Sequence, residues 1–300
     1  MKKIILSRVL TIWCLIFFLP GMACAQSYLS ENKSMKSSIL KEDVKYSIYL
    51  PKSYQTSEKS YPVLYLLHGL GDNHTSWSLL GQIQAIADRV IDSGKADEMI
   101  IVMPDAKQSW YINDCKGKAQ MEKMFFEEFI PHIETTYRAI SQKEQRAIAG
   151  LSMGGYGSLL YALKHPNMFV ACFPISAAVF SDEDILNFSE EDYKRRFKDI
   201  IGGGNTKESR LTPTWRENDI YTILKNYPKA DKKKVKYYIA CGDDDFLYRN
   251  NLQLALAMYD THIPTIFRLR NGQHHWPFWR RELKEILHTA SSHFHRGEDF

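Results

Sequence analysis

Past residue 25 the chain alternates short apolar runs with amphipathic stretches of helical period, the pattern of a mainly parallel sheet flanked by helices. After a polar start, the strand candidates are Val44 to Leu50, Val63 to Leu67, Met99 to Met103, Arg146 to Leu151, Phe169 to Ile175, Val235 to Ala240 and Thr265 to Leu269. Several are apolar throughout, as strands covered on both faces must be. Helical periodicity is clearest in Ile83 to Asp92, Met121 to Tyr137, Met153 to Lys164, Asn251 to Tyr259 and Phe278 to His288. Each of these lies between two strand candidates or closes the chain. The repeated β-α order predicts an α/β fold with helices on both faces of a central sheet.

The rhythm breaks between Ser176 and Lys233, a polar, charge-rich stretch holding Gly202-Gly203-Gly204, Pro213 and Pro228 with only short helical hints. It reads as an insertion over the C-terminal edge of the sheet. The glycine triplet is not a phosphate loop, because no Gly-Lys-Ser/Thr follows and no strand feeds into it. No internal repeat or low-complexity tract interrupts the remainder.

The first 25 residues change the picture of where the protein acts. Lys2, Lys3 and Arg8 precede an apolar run from Val9 to Leu19, and Ala23-Cys24-Ala25 offers small residues for cleavage. This is the grammar of a secretory signal peptide, so residues 26–300 are expected to form one exported catalytic domain, periplasmic or extracellular. Cys24 is also a candidate for lipidation, although Gly21-Met22-Ala23 departs from the Leu-Ala-Gly type that precedes a lipoprotein cysteine. No later segment approaches the about 20 uncharged residues of a membrane span.

The formal charge is +4, and the three basic residues of the leader leave +1 on the rest, with acids and bases well mixed. That balance excludes the basic footprint of a nucleic-acid binder. Cys115, Cys172 and Cys241 are an odd set whose spacing fits no metal or disulfide framework, and they read as buried or free thiols.

Candidate chemistry centres on Gly150-Leu151-Ser152-Met153-Gly154, a G-x-S-x-G between a predicted strand and a predicted helix. In that context the pattern is a nucleophile elbow, with Ser152 exposed at a helix N-terminus. A serine needs a base held by a third group, and in this topology the order along the chain is serine, acid, histidine. The loop after a predicted strand end at Gly242 carries Asp243-Asp244-Asp245, of which Asp245 has the room to turn back. Between the last strand and the last helix lie His274 and His275, with His274 the expected base. The turn Leu67-His68-Gly69-Leu70-Gly71 follows an early strand, where backbone donors are needed for an oxyanion. The amides of Leu70 and Met153 are the candidates. Trp110, Tyr111 and Trp276 either stack on a sugar or phenolic acid or serve as packing aromatics. A zinc site built on the paired histidines lacks carboxylates at ligand spacing, and neither metal nor cofactor is required.

Taken together, Leu67-His68-Gly69-Leu70, Gly150-Leu151-Ser152-Met153-Gly154-Gly155, Cys241 to Leu247 and His274-His275-Trp276 followed by Trp279 resemble the esterase D type of α/β hydrolase. That group includes feruloyl and acetylxylan esterases of carbohydrate esterase family 1, S-formylglutathione hydrolases and mycolyl transferases. The resemblance spans nearly the whole mature chain and extends to Met103-Pro104-Asp105 and Phe125 to Pro131, which are structural in the group. It implies an α/β-hydrolase fold, a Ser152–His274–Asp245 triad and an ester substrate. It places the base two residues before the aromatic of the last motif, at His274, while His275 stands where a small or acidic residue is commoner. With export, it points to esters borne by plant polysaccharides or oligosaccharides. An acyltransferase of the same fold, a hydrolase of siderophore or other small esters or thioesters, and a non-catalytic binding module are the alternatives.

Overall fold

The computed structural model describes residues 26–294, so the leader reading over residues 1–25, Cys24 included, lies outside the described residues. Eight strands form one sheet: β1 (Tyr28–Ser37), β2 (Glu42–Leu50), β3 (Val63–Leu67), β4 (Ile100–Pro104), β5 (Arg146–Leu151), β6 (Ala171–Ile175), β7 (Lys236–Gly242) and β8 (Thr265–Arg270). Their order across the sheet is β1-β2-β4-β3-β5-β6-β7-β8. β2 pairs antiparallel with both β1 and β4, and every pairing from β4 through β8 is parallel. This is the mainly parallel sheet that the pattern of the chain predicts, and it fits the α/β-hydrolase fold that the resemblance implies.

Twelve α-helical segments accompany the strands among the described residues: α1 (Ser76–Leu79), α2 (Ile83–Asp92), α3 (Met121–Met124), α4 (Ile130–Thr136), α5 (Met153–Lys164), α6 (Asp182–Asn187), α7 (Glu190–Arg196), α8 (Lys198–Ile201), α9 (Pro213–Asn218), α10 (Ile220–Lys225), α11 (Tyr248–Asp260) and α12 (Trp276–Phe294). The side-chain alternation of β3 shows how they divide between the faces. Val63, Tyr65 and Leu67 point into one core with α5 residues such as Leu159 and Tyr161, and Leu64 and Leu66 point into another with α2 and α12. α2 turns Ile83, Ile86, Ala87 and Val90 inward at helical spacing. The isoleucine and valine side chains among them each contribute about 1.5–3 kcal/mol when taken out of water, before ordering costs, and the alanine methyl less.

Three stretches show how the structure departs from the sequence expectation. β1 was not expected: it is an edge strand of mixed polarity that buries only its last few positions, Met35 and Ser37, so no apolar run marks it. The expected helix from Met121 to Tyr137 is interrupted by a π-helical stretch, Phe125–Phe129, between α3 and α4. Pro131 has no N–H to give the carbonyl four residues back, and a widened turn precedes it. The segment between β6 and β7 folds into α6 to α10, each too short to show a period. Their ends are set by side-chain caps: Ser181, Ser189, Thr212 and Asp219 each accept amide hydrogens of the following turn.

Candidate active site

β5 ends at Leu151 and α5 begins at Met153, so the reversal between them falls on Ser152 alone. Ser152 takes φ 54° and ψ −116°, outside the regions open to an L-residue without strain, and its amide donates to the Ile175 carbonyl at 3.0 Å. The two flanking glycines make the reversal possible by their lack of side chains. A Cβ on Gly150 would lie 2.2 Å from the Gly154 carbonyl oxygen, and one on Gly154 would lie 2.6 Å from the carbonyl oxygens of Leu67 and His68. The serine therefore stands at the N-terminus of α5, close against the end of β3.

The loop after β7 brings the acid. Of its three aspartates, Asp243 accepts the Gly272 amide at 2.9 Å and ties this loop to the one after β8. The Asp244 amide donates to the Gly272 carbonyl at 2.9 Å. Asp245 points inward, its side chain fully buried, and both carboxylate oxygens lie 2.9–3.0 Å from His274 Nδ1. His274 Nε2 in turn lies 3.0 Å from Ser152 Oγ. Burial alone would push the Asp245 carboxyl up. The His274 contact, the Leu247 amide at 2.8 Å and the Ser176 hydroxyl outweigh it and hold the carboxyl below its ordinary value. An ionised carboxylate only accepts, so His274 carries its hydrogen on Nδ1 and offers a bare Nε2 to the serine hydroxyl. The neighbouring His275 turns the other way and accepts the Phe278 amide on Nδ1 at 3.3 Å, capping the first turn of α12.

The end of β3 supplies the third wall. His68 is buried, with Nδ1 2.8 Å from the Gly69 carbonyl and Nε2 accepting the Ala106 amide at 2.9 Å. These bonds fix the Gly69 to Asp72 turn, closed by the Asp72 amide on the Gly69 carbonyl at 3.2 Å. Leu70 sits in that turn and Met153 is the first residue of α5, whose amide has no acceptor four residues back within the helix. The turn lies against the nucleophile: a Cβ built on Gly69 would be 3.5 Å from Ser152 Cβ and 3.2 Å from Asp72 Oδ2. Burial pushes the Asp72 carboxyl up.

The three aromatic candidates separate. Tyr111 is 1 % exposed and lies beneath the turn, its hydroxyl donating to the His68 carbonyl at 3.0 Å, so it has no face to offer a ligand. Trp110 is 4 % exposed, donates its indole N–H to the Arg196 carbonyl and stacks on Phe197 at 4.8 Å. It anchors the inserted helices and, with Tyr156, Ala178 and Phe180, lines a narrow apolar crevice. Trp276 alone of the three stays half-exposed, edge-on to Trp77 and Trp279 at 5.2 Å. The sequence reading passed over Phe246, which is 71 % exposed with its ring centroid 4.4 Å from that of His274. Its signal was its place beside Asp245.

Among the described residues no set of three or more His, Cys, Asp or Glu side chains is arranged to hold a metal ion, and no helix is long and apolar enough to cross a membrane. Cys172 and Cys241 are buried and Cys115 is exposed, all three unbridged. Burial, helped by the Asp245 charge, pushes the Cys241 thiol up to about 12.

The chain as a whole is similar to known esterases. A family model described as a putative esterase matches residues 37–290. An acetyl esterase of Caldicellulosiruptor saccharolyticus is 26% identical over 269 residues, covering 85% of this chain and 95% of that protein. A solved ferulic acid esterase superposes with a TM-score of 0.75 at 33% identity, over 89% of this chain and 99% of its own. An S-formylglutathione hydrolase of Staphylococcus aureus shares the fold, with a TM-score of 0.73 at 23% identity over 88% of this chain and 99% of its own. The chain belongs to the putative esterase family of α/β hydrolases and is a carboxylic ester hydrolase.

Proposed function

We propose that this protein is an exported serine esterase that removes feruloyl or acetyl groups from carbohydrate through an acyl-enzyme on Ser152. The observation that carries the reading is the continuous contact from Ser152 Oγ through His274 to the buried Asp245, at 3.0 and 2.9 Å. His274 Nε2 takes the serine proton as Oγ attacks the ester carbonyl, and Asp245 holds the resulting imidazolium. The oxygen of the tetrahedral intermediate meets the amides of Leu70 and Met153, fixed dipoles each worth about 3 kcal/mol in the barrier. His274 then passes its proton to the departing alcohol, the acyl group stays on Ser152, and a water deprotonated by the same imidazole releases it.

The substrate class is supported by the relatives' printed activities, acetyl and ferulic acid esterase, and by the exposed ring of Phe246, its centroid 4.4 Å from that of His274. Export is supported by the basic, apolar and small-residue order of residues 1–25. A fluorophosphonate probe should label the wild type and not Ser152→Ala, which should lose about 10⁴-fold or more in kcat. Methyl ferulate, acetylated xylan and long-chain acyl esters compared side by side test the substrate. Faster turnover of the long-chain esters would overturn the carbohydrate assignment, and an unlabelled wild type would overturn the serine mechanism. The N-terminal sequence of the secreted protein tests cleavage after Ala25.

A further inference from the structure

The turn after β3 carries a single acid, Asp72, which the proposed mechanism leaves unused. Its carboxylate lies against the nucleophile. The point where a Cβ on Gly69 would stand is 3.2 Å from Asp72 Oδ2 and 3.5 Å from Ser152 Cβ, so the two side chains meet over the same bare glycine. The turn is open to solvent, with Gly71 and Asn73 exposed and Leu70 and Asp72 partly so. An ester seated on Ser152 lies within reach of that carboxylate.

An acid is an unfavourable choice at this place for two reasons. Asp105 draws both His68 and His74, whereas among the described residues no ion pair forms at Asp72. Burial therefore prevails there and pushes the carboxyl up. The proposed oxyanion also gathers negative charge at the Leu70 amide, two residues away, and a like charge in the same turn raises the barrier. A group that weakens both stability and rate, placed beside the reacting atoms, is the kind that a ligand explains.

The chemistry of that ligand follows from the acid itself, since an ionised carboxylate only accepts hydrogen bonds. The departing oxygen receives its proton from His274, whose charge also bears on Asp72. The alcohol is thus the part of the ester that both groups address. In a carbohydrate ester the ring carbon next to the esterified one carries a hydroxyl, which is a donor close to the departing oxygen. An ester of a simple alcohol has no such donor.

We infer that Asp72 is a specificity-determining residue that accepts a hydrogen bond from the hydroxyl beside the esterified carbon, and so selects esters of vicinal diols, as in a sugar ring, over esters of simple alcohols. The inference rests on the Ser152 mechanism proposed above and deepens its substrate class. The bond acts twice: it holds the alcohol, and it draws the carboxylate charge onto the hydroxyl hydrogen, which lessens the repulsion of the oxyanion.

The test uses two acetates that differ by one hydroxyl, cyclohexyl acetate and trans-2-hydroxycyclohexyl acetate. The wild type should show a kcat/KM about tenfold higher for the hydroxy ester, the size of one charge-assisted hydrogen bond. Asp72→Ala should bring that ratio to about one, and Asp72→Asn, which keeps the shape and a neutral acceptor, to about three. Both variants should turn over cyclohexyl acetate about two- to threefold faster than the wild type, because the like charge beside the oxyanion is gone. A damaged turn would slow it instead. A wild type that does not distinguish the two acetates overturns the inference, and so does a preference that persists undiminished in Asp72→Ala or, should that variant not fold, in Asp72→Asn. Either result with Ser152 still labelled by fluorophosphonate leaves the serine mechanism standing, whereas an unlabelled wild type removes the basis of both.

Discussion

Two adjacent histidines differ in this molecule by what each can reach, and sequence spacing alone leaves them a single peptide apart. His274 spans Ser152 and Asp245, while His275 is spent on the Phe278 amide. His274→Ala should therefore lower kcat/KM for p-nitrophenyl acetate by about 10³-fold or more. His275→Ala should keep activity within about fivefold and lower the melting temperature by a few degrees through the lost cap. Reversed outcomes in the same assay would reassign the base. The exposed face of Phe246 makes a separate claim: Phe246→Ala should raise KM for methyl ferulate about fivefold with little change in kcat, the size of one lost aromatic contact. The aromatics also show where reading residues from a sequence stops. Trp110 and Tyr111 were as good candidates as Trp276 because side-chain type is visible in the chain and burial is not. Their successive positive φ values, 55° and 60°, fold them inward under the β3 turn.

At the scale of elements, the strands covered on both faces were legible because burial on two sides demands an unbroken apolar run, and β3 and β5 coincide with their predicted bounds. β1 was not legible, since one half-solvated edge strand with lysines and serines has no such run. The helices between β6 and β7 were invisible for a different reason: four to seven residues complete too few turns for a period, and their caps are polar residues that any loop contains. The strand-to-helix turn at Ser152 was legible because its glycines are obligatory. Gly154→Ala would press a methyl group against two backbone oxygens at 2.6 Å, and backbone cannot yield as a side-chain tip can. The variant should unfold at lower temperature by an amount matching about 1–3 kcal/mol and should react more slowly with fluorophosphonate, both measurable on one preparation.

Across the whole molecule, polar cross-links at the C-terminal ends of the strands join parts that the sheet alone does not. Asp105, just after β4, is approached by His68 at 3.7 Å and His74 at 3.2 Å and accepts the Lys107 amide at 2.8 Å. Burial would push its carboxyl up, but His68, the Lys107 amide and His74 prevail and bring it down to about 2. A carboxyl depressed by folding stabilises above its unfolded pKa of about 3.9 and loses that contribution as the pH falls towards the folded value. In urea titrations the wild type should exceed Asp105→Asn in stability at neutral pH, and the gap should close between about pH 4 and pH 2. A gap independent of pH would show that the carboxylate charge is not what matters.

The segment spanning α6 to α10 leaves the sheet after β6 and returns at β7, and it grips the rest of the protein through Trp110 and Tyr156, whose polar atoms bond the carbonyls of Arg196 and Asn218. Neither Asp245 nor His274 hydrogen-bonds to it. Changes in the length of that stretch would thus leave the contacts among Ser152, His274 and Asp245 in place.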